Sequence, residues 1–126
     1  MRRMARRVLR VTLAVFMIAI GVTHFVSPAP FVAIVPRWLP SPYALVLVSG
    51  FFEILGGAGL LVPRLRRAAS YGLVALYVAV FPANVNMALN DIQPTDVHVP
   101  PALAWARLPF QIVLIVLALW VGKSDE

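Results

Sequence analysis

SGFFEILGGAGLL, residues 49–61, is apolar enough to lie inside a membrane, yet it carries Glu53 near its middle and Gly56, Gly57 and Gly59 just beyond. A charge in such a run is costly in hydrocarbon, so it must face protein or enclosed water and find partners. Glycines at this spacing let a second backbone come close. The stretch predicts a helix packed among others, with its acid turned inward.

The residues around it extend the same pattern. The chain has 126 residues, 61% of them hydrophobic, and a mean hydropathy of +0.88. A water-soluble domain of this size could not hide so much apolar surface. Four apolar segments fall at approximately 8–26, 43–62, 68–89 and 102–121. Each has about 20 residues, enough at 1.5 Å per residue to cross a hydrocarbon core of about 30 Å. Isolated strands would expose backbone groups to lipid, so helices are expected. The predicted fold is one all-α domain over residues 1–126, an antiparallel four-helix transmembrane bundle.

Orientation follows from the arginines. Nine of the eleven basic residues fall at the start, in the 63–67 connection or at Lys123, leaving Arg37 and Arg107 on the other side with Asp91 and Asp96. That bias puts the basic segment 1–7 and the tail 122–126 in the cytoplasm. The first span is expected to stay uncleaved, because its apolar run reaches Val26 and Ser27-Pro28-Ala29-Pro30 is a poor cleavage context.

The outer connections hold most of the prolines. Between those of the first lies Phe31-Val32-Ala33-Ile34-Val35, followed by Arg37 and Trp38. This is too short to span and predicts an interfacial or re-entrant segment, either a plain connection or a lid over the outer mouth. Pro82 and Pro109 interrupt the third and fourth spans and predict kinks.

The polar residues within the spans are the candidate site: His24, Ser49, Glu53, Asn84, Asn86, Arg107 and Gln111. Counted from the outer helix ends, Glu53 lies about 15 Å deep, Gln111 about 13 Å, Asn84 about 9 Å, Arg107 about 7 Å and His24 about 5 Å. All fall in the outer half. Ser49, Glu53 and Gly56 share one helical stripe, and Arg107 and Gln111 are four apart. The expected centre is a Glu53–Arg107 pair, with Gln111, Asn84 and His24 adding bonds. Asn84 and Asn86 cannot share one narrow face, so one is expected to face the bundle. Gly50, Gly56, Gly57 and Gly59 are candidate packing positions. The plainer alternative is that the polar residues only glue helices together.

Several chemistries are excluded. A pI near 11.2 can signal nucleic acid, but here the arginines flank spans, so no nucleic-acid partner is expected. There is no cysteine, hence no disulfide, thiol chemistry or thiolate metal site. His24 and Glu53 are too few for a metal, and a haem would lack ligands. No Ser–His–Asp arrangement is apparent, and the glycine run lacks the lysine of a phosphate loop. The catalytic residues are unknown.

GVTHF at 21–25, SGFFEILGGAGLL at 49–61, FPANVNMAL at 81–89 and RLPFQ at 107–111 together resemble the DoxX-like family of small bacterial integral membrane proteins. The resemblance runs from about residue 21 to 120. It implies a four-helix bundle in the bacterial inner membrane and association with quinone-linked or thiol redox systems; a relative in animals is a receptor-assembly chaperone. It carries over no catalytic residues. The expected function is an accessory protein rather than an enzyme on its own. It would bind membrane lipid or a lipophilic small molecule, with quinone as candidate cofactor. Its partner would be a membrane oxidoreductase or a second copy. The alternatives are a structural subunit or chaperone without ligand, and a small oligomeric transporter.

Overall fold

The computed structural model describes residues 2–95 and 98–123. Among them are the helices α1 (Arg2–Val26), α2 (Ala29–Ala33), α3 (Pro42–Leu60), α4 (Arg66–Leu89) and α5 (Pro101–Val121), and no strand. All but α2 are long and apolar enough to cross a membrane. Asp96 and the tail residues 124–126 lie outside the described residues. The outward-facing side chains include Phe16, Phe51, Phe52, Trp105, Phe110 and Ile112. Such a surface would drive association in water and is the natural surface in lipid. The protein is an all-helical integral membrane protein, as its composition predicted.

The helix ends follow local chemistry. α1 begins at Arg2 instead of near residue 8. Arginine, alanine, methionine and leucine favour helix, and no glycine or proline interrupts the chain before Gly21. The basic segment is therefore the first turns of the span. Pro42 and Pro101 open α3 and α5, where a missing N–H costs nothing. Arg66 Nε donates to the Leu60 carbonyl at 3.0 Å, placing a cation at the negative end of α3. α4 ends with Asp91 at φ 47° while Ile92 N–H donates back to the Met87 carbonyl at 3.1 Å. This closes the last turn as a left-handed residue usually does. Pro82 and Pro109 both lie inside continuous helices.

α1 packs chiefly on α3, and α4 packs on both α5 and α3. A lesser contact joins α1 to α5, while α3 and α5 are not a packed pair. Glycine sets the α1–α3 approach. A methyl at Gly57 would lie 2.7 Å from the Ala14 carbonyl oxygen, and one at Gly21 would lie 2.7 Å from that of Gly50. A methyl at Gly50 would meet His24 Cβ at 2.6 Å. These contacts pair Ala14 and Ile18 with Gly57, and Gly21 and His24 with Gly50.

The apolar core gathers toward one end. It joins Leu13, Ala14 and Met17 of α1, Leu60 of α3, Leu73 and Tyr77 of α4, and Ala118 and Val121 of α5. Ser70 Oγ–H donates to the Ala118 carbonyl at 2.7 Å and ties α4 to α5 there. Arg10 is buried beside it, donating from Nε to the Val121 carbonyl at 2.7 Å and from Nη2 to that of Lys123 at 3.0 Å. It satisfies carbonyls that the end of α5 leaves without helical donors. Because lipid is as apolar as these side chains, close contact rather than exclusion from water holds the helices together.

Gly57→Ala should destabilise the protein by about 1–3 kcal/mol, because its methyl meets backbone rather than a yielding side chain. Gly72→Ala, with nothing within 4 Å, should be neutral or stabilising by up to about 1 kcal/mol. Thermal melts in one detergent, followed by far-ultraviolet circular dichroism, measure both.

Candidate functional site

Where α1 and α3 run together, His24 and Glu53 meet. Both are buried, at 6% and 7% exposure. His24 Nδ1 lies 2.8 Å from the Ile20 carbonyl oxygen and 3.3 Å from Glu53 Oε2. A carbonyl only accepts, so Nδ1 carries the hydrogen and gives it to Ile20, one turn back. Glu53 Oε2 is left close to the ring but without a hydrogen bond. One turn away along α3, Ser49 Oγ is also buried and has no hydrogen-bond partner among the described residues. Two orphaned polar atoms on one helical stripe are unusual, because each costs the desolvation of a group that water would have satisfied.

The segment after α1 covers this place. Phe31 of α2 stacks on the His24 ring, with centroids 3.8 Å apart and planes 17° from parallel. Asn86 of α4 donates from Nδ2 to the Ile34 carbonyl at 3.0 Å, and its Oδ1 accepts from Asn90 Nδ2 at 2.6 Å. Pro36 is buried. The segment is thus held at both sides, by a ring on α1 and an amide on α4.

The expected Glu53–Arg107 pair does not form. Arg107 is exposed on α5, and its Nη1 donates to Met87 Sδ of α4 at 2.9 Å. The reason is the packing order, since α3 packs chiefly on α1 and is not closely packed on α5. Counting depth from helix ends also misplaced His24, because it assumed that all helices end at one level. α3 begins at Pro42, eight residues before the Gly50 that touches His24, so it extends roughly 12 Å past that level. The chain from 27 to 41 returns alongside that length.

Gln111 and Asn84 belong to a second, closed network. Asn84 Nδ2 donates to Gln111 Oε1 at 2.7 Å, and Gln111 Nε2 donates to the Tyr77 carbonyl at 2.8 Å. This lies near the Val78 carbonyl, which Pro82 leaves without its helical donor. Asn84 therefore faces the bundle and Asn86 faces the outer segment. The Tyr77 hydroxyl donates to Met17 Sδ at 3.2 Å, crossing to α1. Gly50 and Gly57 serve the α1–α3 approach, while a methyl at Gly56 would meet Leu73 Cδ2 at 2.5 Å and one at Gly59 would meet Ala69 Cβ at 2.8 Å on α4.

Phe31, Tyr77 and Arg10 were not singled out from the sequence as members of any polar cluster. Arg10 was legible: it lies on the stripe of Leu13, Ala14, Met17, Gly21 and His24, all buried along α1. Tyr77 was a hydroxyl in the middle of a span, where such groups find a partner. Phe31 carried no signal beyond its place in the short outer segment. No three histidine, cysteine, aspartate or glutamate side chains come together among the described residues, so His24 and Glu53 have no third ligand for a metal.

A family model described as a domain of unknown function, DUF8561, matches residues 13–122. No curated protein and no solved structure matches the chain.

Double-mutant cycles separate the two pairings. Glu53→Gln with His24→Ala should show non-additive stability, because the two groups are in contact. Glu53→Gln with Arg107→Gln should be additive to within about 0.5 kcal/mol. Denaturation in mixed micelles of the singles and doubles gives both values.

Proposed function

We propose that this chain, which belongs to the DUF8561 family, uses Glu53, Ser49 and His24 to receive the polar head of a lipophilic small molecule from the membrane. The observation that carries the proposal is that two buried atoms, Glu53 Oε2 and Ser49 Oγ, have no hydrogen-bond partner among the described residues. Ser49 can donate to a carbonyl oxygen. Glu53 can accept from a hydroxyl or, carrying a proton, donate to a carbonyl. Both suit a molecule that alternates between carbonyl and hydroxyl, so a quinone is the first candidate. The outer segment, pinned by Phe31 and Asn86, acts as the lid.

The proposal includes the arrangement in the membrane. The four spans alternate in direction, both termini face the cytoplasm of a bacterial inner membrane, and segment 27–41 re-enters from outside. The positive-inside bias supports this. So do the contacts of Arg10 near the start of α1 with Val121 and Lys123 at the end of α5. A DoxX-like kinship and an accessory role beside a membrane oxidoreductase belong to the same proposal and rest on residue pattern alone. Arg107 drops out of the ligand set, and Asn84 and Gln111 join the interhelical glue because their bonds are already made.

Decylubiquinone titrated into purified protein should bind saturably, and Glu53→Gln and Ser49→Ala should each weaken it at least about tenfold, the worth of one hydrogen bond to a charged or buried group. Absence of saturable binding by both decylubiquinone and its quinol would reject the ligand and favour a structural subunit. The absence of native cysteine makes topology testable. His98→Cys should react with a membrane-impermeant maleimide on intact cells, and Arg64→Cys only after permeabilisation.

A further inference from the structure

A groove of about 960 Å³ runs between the outer segment and α4. Phe81, Val85 and Leu89 line one wall at four-residue spacing, which puts them on one stripe of the helix. Over that stripe α4 rises about 12 Å. Val35 and Pro36 form part of the facing wall. The volume falls within the range of pockets that bind small molecules.

The groove is polarised along its length. Phe81 lies within the span, whereas Asn90 and Ile92, which also line it, lie where α4 ends. Arg37 and Trp38 complete the lining. Trp38 is 73% exposed, as an indole seated at a membrane–water boundary would be. Arg37 is exposed and makes no hydrogen bond or ion pair with any described residue. The amides in the groove are already engaged, Asn86 with Ile34 and Asn90 with Asn86. Arg37 is therefore the group left to meet a ligand, and its charge calls for an anion. The apolar wall beneath it calls for a hydrocarbon chain.

We propose that this groove seats one anionic phospholipid of the surrounding leaflet, with its phosphodiester at Arg37 and an acyl chain along Phe81, Val85 and Leu89. A guanidinium can hold two phosphate oxygens at once, which suits this head group. A free phosphate would leave the apolar wall uncovered, and a zwitterionic lipid brings the same phosphodiester with a cation beside it that offsets the attraction of the arginine. Asn86 joins the groove to the Glu53 site by holding the segment that separates them, so the lipid would brace the lid from outside. The lipid's place does not depend on what Glu53 binds.

Native mass spectrometry of the full chain, released from micelles containing palmitoyl-oleoyl phosphatidylglycerol or phosphatidylcholine, tests this. Wild type should retain one phosphatidylglycerol with a preference of about fivefold over phosphatidylcholine, the order of one arginine's attraction to an anionic lipid. Arg37→Gln should abolish that preference, Arg37→Lys should keep part of it, and Arg64→Gln should leave it intact. Val85→Trp, which fills the groove, should lower retention of both lipids with helical content unchanged. No preference in wild type, a preference that survives Arg37→Gln, or a dimer that excludes lipid from the groove would each overturn the proposal.

Discussion

The approach of α1 to α3 governs what the rest of the structure can do. Three positions without side chains, Gly21, Gly50 and Gly57, let carbonyl oxygens of one helix sit where a methyl of the other would have been. Without that approach His24 could not lie against Gly50, nor its ring nitrogen 3.3 Å from the Glu53 carboxylate. In a bilayer, helices gain little from leaving lipid for one another, so close backbone contact is one of the few sources of adhesion available. The same contact that holds the helices also delivers a histidine to a buried acid.

The polar groups divide by how fully they are satisfied. Arg10 and Ser70 complete carbonyls at the apolar end, and Gln111 joins Asn84 to the Tyr77 backbone. These are structural bonds, and their loss should cost stability without touching a ligand. Glu53 and Ser49 differ because each keeps a buried oxygen with no hydrogen bond. The ring of Phe31 stacks on His24 and covers the same place. The groove lined by the same segment and α4 includes Asn86.

Much of the architecture was legible because lipid leaves the chain few choices. Runs of about 20 apolar residues in this composition must be helices, and the prolines and the basic connection mark their ends. The inward stripe of α3 could also be read, since Ser49, Glu53 and Gly56 recur at helical spacing. What could not be read was which helix neighbours which. Opposite charge made Arg107 the natural partner for Glu53, but spacing along a chain does not say that α3 and α5 are not a packed pair. Nor does it say that α1 ends short of α3's outer end, which is what brings a histidine counted as shallow to an acid counted as deep.

The central claim is that the Glu53 carboxyl sits against His24 with one oxygen held for a group the protein itself does not supply. The most direct test is a high-resolution cryo-EM or crystallographic map of protein purified from native membranes. The account predicts non-protein density within about 3.2 Å of Glu53 Oε2, shared with Ser49 Oγ beneath Phe31. A map in which that oxygen is hydrogen-bonded to Arg107 or any other side chain, with no foreign density beside it, would contradict the account.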